Sequence, residues 1–303
     1  MKDYLNEINH LYPVRRSTEE KSKFFEYVRS ELGNDRVKIE TLEKKHNNIV
    51  IGDINSAKVV MTAHYDTPAT SLIPNFMFPA DKLKGTIVHL IYPIVMALAS
   101  LLVAFVIGVL LGLEQQESLI IYLLLYFGLF YCSTRMITNK HNKNDNTSGV
   151  ATILSIAKSI ENNNVAFVLL DNEEKGLLGS KALNKANKNL FESKMVVNFD
   201  CVGNGDRIII MPKEKAESIA EYKFLKESLS ENDEFTIHFI PFKKSLGNSD
   251  HKSFPCGVGV VASKPAKFFK FCTGRIHTNR DTVAENSNIQ FLADRMIKFA
   301  NNL

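Results

Sequence analysis

The feature that most constrains the fold is an apolar stretch in the first half of the chain. No Asp, Glu, Lys or Arg occurs at residues 85–113, and a second apolar run covers residues 119–132. A helix needs about 20 apolar residues to cross a bilayer core. A buried helical pair in a soluble domain is the alternative interpretation, but helices that are apolar on all sides are rare in small domains. The sequence therefore predicts an inserted transmembrane hairpin at 85–137, with spans at about 87–113 and 118–136.

The charges around this hairpin predict its orientation. Basic residues flank it on both sides, at Lys82, Lys84, Arg135, Lys140 and Lys143. The short connection carries only Glu114 and Glu117. By the positive-inside rule both outer ends face the cytoplasm, and the N-terminal segment has no apolar signal region. We therefore expect an integral membrane protein whose polar domain and both termini are cytoplasmic. Pairing of two copies through the hairpin, as a homodimer, is also considered.

The overall composition excludes several other classes of protein. The chain has 303 residues and a formal net charge of +4, which is too mild for a nucleic-acid groove, so no nucleic-acid partner is expected. Four cysteines without a CxxC pair argue against a disulfide scaffold and against a Cys-ligated zinc site. What remains is an enzyme-sized globular domain attached to a bilayer.

The polar parts of the chain, 1–84 and 138–303, predict one discontinuous α/β domain. A capping-box pattern at Ser17-Thr18-Glu19-Glu20 opens a helix to about Leu32. Further helices are expected at 148–160, from about 177, at 216–229 and from about 286. Strand-like runs occupy 37–42, 48–54, 58–66, 165–171, 195–200, 207–212, 235–242 and 257–263. Alternation of strands and helices predicts a mixed, largely parallel central sheet flanked by helices.

Potential metal ligands follow several of these predicted strands. His64 and Asp66, the pair Glu173-Glu174, and Asp200 stand at strand ends. Two further candidates lie in loops, Asp145 ahead of a helix and His277 after the last β-like segment. Ligands bind beyond the carboxyl ends of strands in open α/β sheets, so we expect these side chains to meet. Any one of them alone is a weak signal, because a single His or Glu at such a position is usually structural or solvated.

A metal pair would explain why so many carboxylates are gathered there. Crowded carboxylates without a cation repel one another and shift towards their neutral forms, whereas two His and three carboxylates suit zinc. Asp66 is placed to hydrogen-bond the second ring nitrogen of His64. Adjacent residues in an extended segment point in different directions. One residue of the Glu173-Glu174 pair can therefore bind metal while the other acts as a general base.

Taken together, these motifs resemble the co-catalytic di-zinc aminopeptidase family, which includes leucyl-type aminopeptidases, glutamate carboxypeptidase and the glutaminyl cyclases. The resemblance rests on His64-x-Asp66, Asp145 in NDNTSGVA, Glu173-Glu174, Asp200 and His277-Thr278, and covers about residues 15–303 apart from the hairpin. The triplet Ser249-Asp250-His251 with Phe254 resembles a segment near the family's substrate site. The connection from His64 to Asp145 is much longer than in relatives, because the hairpin lies within it. This departure affects the expected site rim and substrate range.

The resemblance implies a role for each of these residues. One ion is bound by His64 and Asp200, a second by Glu174 and His277, and Asp145 bridges the two. Glu173 is the general base, Asp66 assists the catalytic centre through His64, and His251 helps to hold the substrate. The cofactors implied are two divalent ions, with zinc as the expected metal. The partners implied are a peptide with a free N-terminus and the lipid bilayer.

The expected function is a membrane-anchored metallo-aminopeptidase that hydrolyses N-terminal residues with water activated by metal. Two alternatives remain open. A glutaminyl-cyclase-like acyltransferase shares the fold and the acidic motifs, although HTNRDT is closer to the aminopeptidases. A non-catalytic membrane scaffold on the same fold is the other, although every ligand position is filled here.

Overall fold

The computed structural model describes residues 2–71, 75–135, 137–160 and 162–303. The helices described there are α1 Tyr4–Leu11, α2 Thr18–Leu32, α3 Lys82–Leu111, α4 Gln115–Arg135, α5 Gly149–Ser159, α6 Leu178–Ala186, α7 Lys188–Phe191, α8 Glu214–Glu217, α9 Ala220–Ser228 and α10 Asn286–Asn301. The strands are β1 Val37–Leu42, β2 His46–Ile51, β3 Val59–His64, β4 Ala69–Thr70, β5 Asn75–Met77, β6 Ile137–Thr138, β7 Val165–Leu170, β8 Met195–Phe199, β9 Arg207–Pro212, β10 Thr236–Phe239, β11 Gly257–Pro265 and β12 Phe271–Ile276.

The central sheet is mixed, with a parallel core as the sequence predicts. Its main path runs β1-β2-β7-β3-β8-β11-β12-β5, and β9 and β10 extend it beside β11. The neighbours β7, β3, β8 and β11 are parallel, while β1 with β2, β2 with β7 and β9 with β11 are antiparallel. The carboxyl ends of β7, β3 and β8 therefore lie side by side at one edge of the sheet.

Alternating side chains of the central strands are buried on both faces of the sheet. In β3, Val59 and Met61 belong to the larger core cluster, which includes residues of α1, α2, α5 and α10. Val60, between them, belongs to a second cluster with Leu183 of α6 and Phe191 of α7. Because successive strand residues point to opposite faces, an apolar run such as VVM needs helices on both sides.

Most predicted elements are present with small shifts in their ends. The Ser17 side chain accepts from the Glu20 backbone and Glu20 caps in return, so α2 begins where its capping box predicts. The predicted helix at 216–229 is wrong as a single element. It is two helices, α8 and α9, since Ile219 between them takes an extended conformation and the Ser218 hydroxyl bonds the Lys215 carbonyl. Helix α1 was not predicted.

The apolar stretch forms two helices, α3 and α4, that pack against each other as a hairpin between β5 and β6. Small residues of α3, Ser100, Ala104 and Gly108, are buried at four-residue spacing. A side-chain carbon on Gly108 would lie 2.5 Å from the Ser118 hydroxyl of α4, so the two helices approach closely there, as small residues allow in membranes.

Another face of α3 is apolar and largely exposed. Leu98, Leu102, Phe105 and Val109 share one face of α3 and are 61–66% exposed. Within the described residues, one helix is long and apolar enough to cross a membrane, Lys82–Leu111, with a mean hydropathy of 3.0 over its apolar window. Its start precedes the predicted residue 87, and the predicted end of the second span at residue 136 lies outside the described residues. The crossing of a membrane by the hairpin stays a prediction.

Candidate metal centre

Three adjacent strands deliver predicted ligands to one edge of the sheet. β3 ends at His64, β7 is followed by the turn that holds Glu173 and Glu174, and β8 is followed by Asp200. These strands are parallel neighbours, so the four side chains converge. Asp145 reaches the same place from the irregular helical turn before α5, where its peptide bond to the next residue is cis.

Two groups of convergent side chains share Asp145, and a third group is formed by His64, Glu173 and Glu174. In the first, His64 Nε2 lies 3.3 Å from Asp145 Oδ1 and 3.7 Å from Asp200 Oδ1. In the second, His277 Nε2 lies 3.0 Å from Asp145 Oδ2 and 3.3 Å from Glu174 Oε2. Within each group the candidate donor atoms are within 4.8 Å of one another. Asp145 thus directs one carboxylate oxygen to each group.

Without a bound cation, the buried carboxylates and imidazoles of this cluster have shifted pKa values. Burial and the charge of neighbouring Glu174 raise the pKa of Glu173 well above its usual range. Burial, with the charge of Asp145, raises the pKa of Glu174 to about 8. Burial alone would lower the pKa of His277, but the charges of Glu174 and Asp145 outweigh it and raise that pKa to about 10. The cluster therefore retains protons that bound cations would displace.

The donor set fits divalent metal ions. Asp200 Oδ1 is buried and has no hydrogen-bond partner among the described residues, although it faces the first group. An unpaired buried carboxylate oxygen is costly unless it is charge-compensated. Imidazole and carboxylate donors are those that zinc accepts, and each group supplies one histidine with two carboxylates.

Asp66 lies beside His64, but it acts through a different atom from the one predicted. His64 Nδ1 lies 3.1 Å from the backbone carbonyl oxygen of Asp66, whereas the nearer carboxylate oxygen is 3.6 Å away and too long for a hydrogen bond. The carboxylate instead accepts from the backbone N–H groups of Glu173, at 2.9 Å, and Glu174, at 3.2 Å. Asp66 therefore holds the Glu173-Glu174 turn in place with both oxygens.

Arg15 links the loops that carry the site. This role was not predicted from the sequence. It is fully buried, and its guanidinium donates to the carbonyl oxygens of Tyr12 and Tyr65 and to the hydroxyl of Thr147. Burial lowers its pKa to about 10. These bonds tie the loop after β3 to the loop that carries Asp145. An arginine before a helix cap is too common a pattern to have indicated this role.

Two further residues orient the Asp145 loop. Asp281 accepts from the backbone N–H groups of Asn144 and Asp145, at 3.1 and 2.9 Å. Asn146 donates to the Phe199 carbonyl at 2.9 Å and so joins this loop to the end of β8. Asp281 lies four residues after His277 in HTNRDT. An acidic residue so close to a predicted ligand was the sequence signal that could have indicated its role.

Several residues of the site hold a left-handed backbone that non-glycine residues rarely adopt. Asn172, before Glu173, has φ 53°, Cys201, after Asp200, has φ 55°, and His277 itself has φ 57°. Each such conformation costs about 1–3 kcal/mol, and strain of this kind concentrates at functional sites. The orientation of these side chains is therefore maintained at a cost in local backbone energy.

A cleft of about 690 Å³ opens over the cluster. Asp145, Glu173, Glu174, Asp200 and His277 line it. A second cavity of about 610 Å³ begins at Glu174 and His277 and extends to the hairpin.

His251 lines neither of these cavities. It is buried behind Asp200 at a small cavity of about 10 Å³, and burial lowers its pKa to about 4. Because His251 does not reach the cleft, its position does not support a role in substrate binding, and that role stays a prediction.

Comparison with known protein families gives an independent result. The model of peptidase family M28 matches residues 138–300, which include Asp145, the Glu173-Glu174 pair, Asp200 and His277. That match covers more than half of the chain.

The chain belongs to peptidase family M28.

Solved structures of low sequence identity share the fold of this M28 peptidase. A Zn-dependent exopeptidase from Parabacteroides distasonis matches with TM-score 0.61 and 14% identity over 99% of this chain and 96% of that one. Porphyromonas gingivalis glutaminyl cyclase matches with TM-score 0.59 and 13% identity over the same shares, 99% and 96%. The LapA aminopeptidase of Legionella pneumophila matches with TM-score 0.55 and 15% identity over 98% and 69%. A comparison with curated protein sequences finds no significant match.

Proposed function

We propose that this M28 peptidase is a membrane-anchored aminopeptidase with two zinc ions, which removes N-terminal residues from peptides. The observation that carries the proposal is the pair of donor groups that share Asp145 beside the buried carboxylate of Glu173. The first ion would be held by His64, Asp145 and Asp200. The second would be held by Asp145, Glu174 and His277.

The residues around the ions supply the remaining parts of the reaction. When bound, the ions act as Lewis acids that lower the pKa of water and polarise the scissile carbonyl. The Glu173 carboxylate accepts the proton of the attacking water and delivers it to the nitrogen of the leaving amine. Asp66 accepts a hydrogen bond from the backbone N–H of this base and so holds its backbone in place.

Membrane anchoring is supported by the surface of the hairpin. Large apolar side chains such as Leu102 and Phe105 are more than 60% exposed, and water would penalise such a surface. The basic residues before and after the hairpin favour a cytoplasmic catalytic domain and cytoplasmic termini. Cysteine labelling in intact cells tests this topology. A Glu114→Cys variant should react with an impermeant maleimide from outside, and a Lys2→Cys variant should not.

Glutaminyl cyclase activity is the second candidate, because a cyclase is among the structures that share the fold. The two activities differ in their products. An aminopeptidase releases a free amino acid from an aminoacyl amide, whereas a cyclase releases ammonia from an N-terminal glutamine and leaves the peptide intact. The complete second donor group, with His277, favours the two-metal aminopeptidase.

The experiment that tests the proposal uses detergent-purified, zinc-loaded protein and a library of N-terminal amino-acid amides. We expect release of amino acids by the wild type. Glu173→Gln should retain the metal content of the wild type, measured by elemental analysis, but lose turnover by about 10²–10⁴-fold. The exposed Glu217→Gln on α8 is the matched control and should remain active. Wild-type rates in Glu173→Gln would exclude this residue as the base, and no turnover on any amide would exclude an aminopeptidase.

A further inference from the structure

The 610 Å³ cavity, called here the hairpin cavity, connects the candidate metal centre with the apolar helices. Its polar end is lined by Asp66, Glu174 and His277, together with the basic residues Arg16, Lys21 and Lys175. Its other end is formed by Val88, Ile91 and Val95 of α3, with Phe130 of α4. Its volume falls within the range of about 300–1,000 Å³ that is typical of small-molecule sites. A cavity with one catalytic and one apolar end suits a molecule with a polar head and an apolar chain.

The apolar wall of the hairpin cavity is one face of α3. Residues 88, 91, 92 and 95 are spaced by three and four, so they lie on the same side of the helix. Ile91 and Val95 are 54% and 55% exposed, and nothing in the described part of the chain covers them. This face differs from the stripe of small residues farther along α3 that packs against α4.

If the hairpin crosses a bilayer, as proposed above, contacts at its base indicate the level of the membrane surface. Lys84 donates to the carbonyl oxygen of Phe268 at 3.3 Å, and the Phe268 ring is 74% exposed beside Lys267. Next to it, Phe269 stacks on Phe78 with ring centroids 4.1 Å apart. Lysine side chains near the ends of membrane-spanning helices extend towards the interface between headgroups and acyl chains.

The hairpin cavity reaches below that level. At a rise of about 1.5 Å per residue, Val88 lies about 6 Å beyond Lys84 along α3, and Val95 lies about 16 Å beyond it. The polar end of the same cavity is at the metal centre, on the side of the catalytic domain. With the hairpin in a bilayer, the cavity would span the membrane surface, with its apolar end at the depth of the acyl chains.

We propose that the hairpin cavity receives the apolar chain of an amphiphilic substrate from the bilayer. The substrate class is an aminoacyl amide, a free amino-acid head joined through an amide bond to a long apolar chain. The proposal rests on the aminopeptidase function. Water adds to the carbonyl carbon, the C–N bond breaks, and the water proton taken up by Glu173 passes to the nitrogen. The products are an amino acid, which leaves through the 690 Å³ cleft, and an apolar amine, which returns to the bilayer.

The test measures kcat/KM of the full-length protein in lipid nanodiscs for aminoacyl n-alkylamides of two to ten carbons. Longer chains partition more strongly into the bilayer for every variant, so the informative quantity is the ratio of decylamide to ethylamide rates within each variant. Val95→Trp fills the apolar end of the cavity and should lower this ratio at least tenfold relative to the wild type. Leu102→Trp, on the same helix but outside the cavity, is the matched control and should leave the ratio within about twofold.

A second variant guards against a folding defect in Val95→Trp. Ile91→Phe adds less volume to the same wall and should shift the preferred chain to fewer carbons rather than abolish turnover. If Val95→Trp remains active and its ratio of decylamide to ethylamide rates equals that of the wild type, the role of the cavity is overturned. The aminopeptidase function would then still stand. An equal loss of the ratio in Leu102→Trp would also overturn it, since the effect would then belong to the hairpin in general. No turnover on any amide would refute the function on which the proposal rests.

Discussion

Replacing Asp66 by asparagine tests how the Glu173-Glu174 turn is positioned. In the wild type each carboxylate oxygen of Asp66 accepts one backbone N–H, from Glu173 at 2.9 Å and from Glu174 at 3.2 Å. Asparagine offers one oxygen and one NH₂ group of nearly the same shape. One backbone N–H would then face another donor in a site where Asp66 is only 3% exposed.

The magnitude follows from the number of bonds lost. An unpaired N–H in a buried site costs about 1–3 kcal/mol, and each 1.36 kcal/mol corresponds to a factor of ten in rate. If the turn moves to relieve this cost, the base leaves its position and kcat should fall by about 5- to 150-fold. If the turn does not move, the same cost should appear as a loss in the free energy of unfolding. We expect the loss mainly in kcat, because the turn is short and local.

The assay compares kcat, KM, zinc content and chemical denaturation for Asp66→Asn and for Asp53→Asn. Asp53 also accepts a backbone N–H, from Asn55 at 2.9 Å, but in an exposed turn, so it is a matched control with little expected effect. Wild-type kcat with wild-type stability in Asp66→Asn would refute the positioning role. Loss of zinc as the main defect would instead support the carboxylate contact with His64 that the sequence predicts.

Three further predictions concern the support of the site, its charge and the hairpin. Arg15→Met removes three side-chain hydrogen bonds, two of them buried and one partly buried, and should lower the free energy of unfolding by about 3–5 kcal/mol, measured by chemical denaturation. Glu174 and His277, with pKa values raised to about 8 and about 10 in the metal-free protein, both hold protons at pH 7. Although burial opposes it, the charge of Glu173 and contacts with Asp145 and Asp200 also raise the pKa of His64 well above its usual range. Zinc binding should therefore release protons and weaken as pH falls, and calorimetry in buffers of different ionisation enthalpy should show more protons released at pH 7 than at pH 9. Gly108→Leu should separate α3 from α4, because even one added carbon lies 2.5 Å from the Ser118 hydroxyl, and spin-label distances across the hairpin should increase.

The convergence of the candidate metal donors was predictable from the sequence because of how parallel strands meet. His64 and Asp200 stand at the ends of strands whose apolar runs mark them as buried, and neighbouring parallel strands bring their ends together. The fold class followed from the same pattern of alternating strands and helices. The apolar hairpin was equally evident, since its length and lack of charge are local properties of the chain.

Contacts between distant parts of the chain decided the remainder. Arg15 lies 132 residues from Thr147, and Asp281 lies 136 residues from Asp145, so neither bond leaves a local trace in the sequence. The atom through which Asp66 acts depends on where the turn after β7 is placed relative to β3. The break at Ile219 likewise depends on its surroundings rather than on helix propensity.

Residue types and their spacing along the chain were thus enough to predict the candidate metal ligands and the two apolar helices that interrupt the polar domain. Both conclusions rest on residue type and periodicity, which folding does not change. Only the tertiary structure decided that the hairpin lies against the metal centre and that Val88 and Val95 share a cavity with Glu174 and His277. The reason is physical, because a cavity is the space left between packed elements and exists only once those elements are placed together.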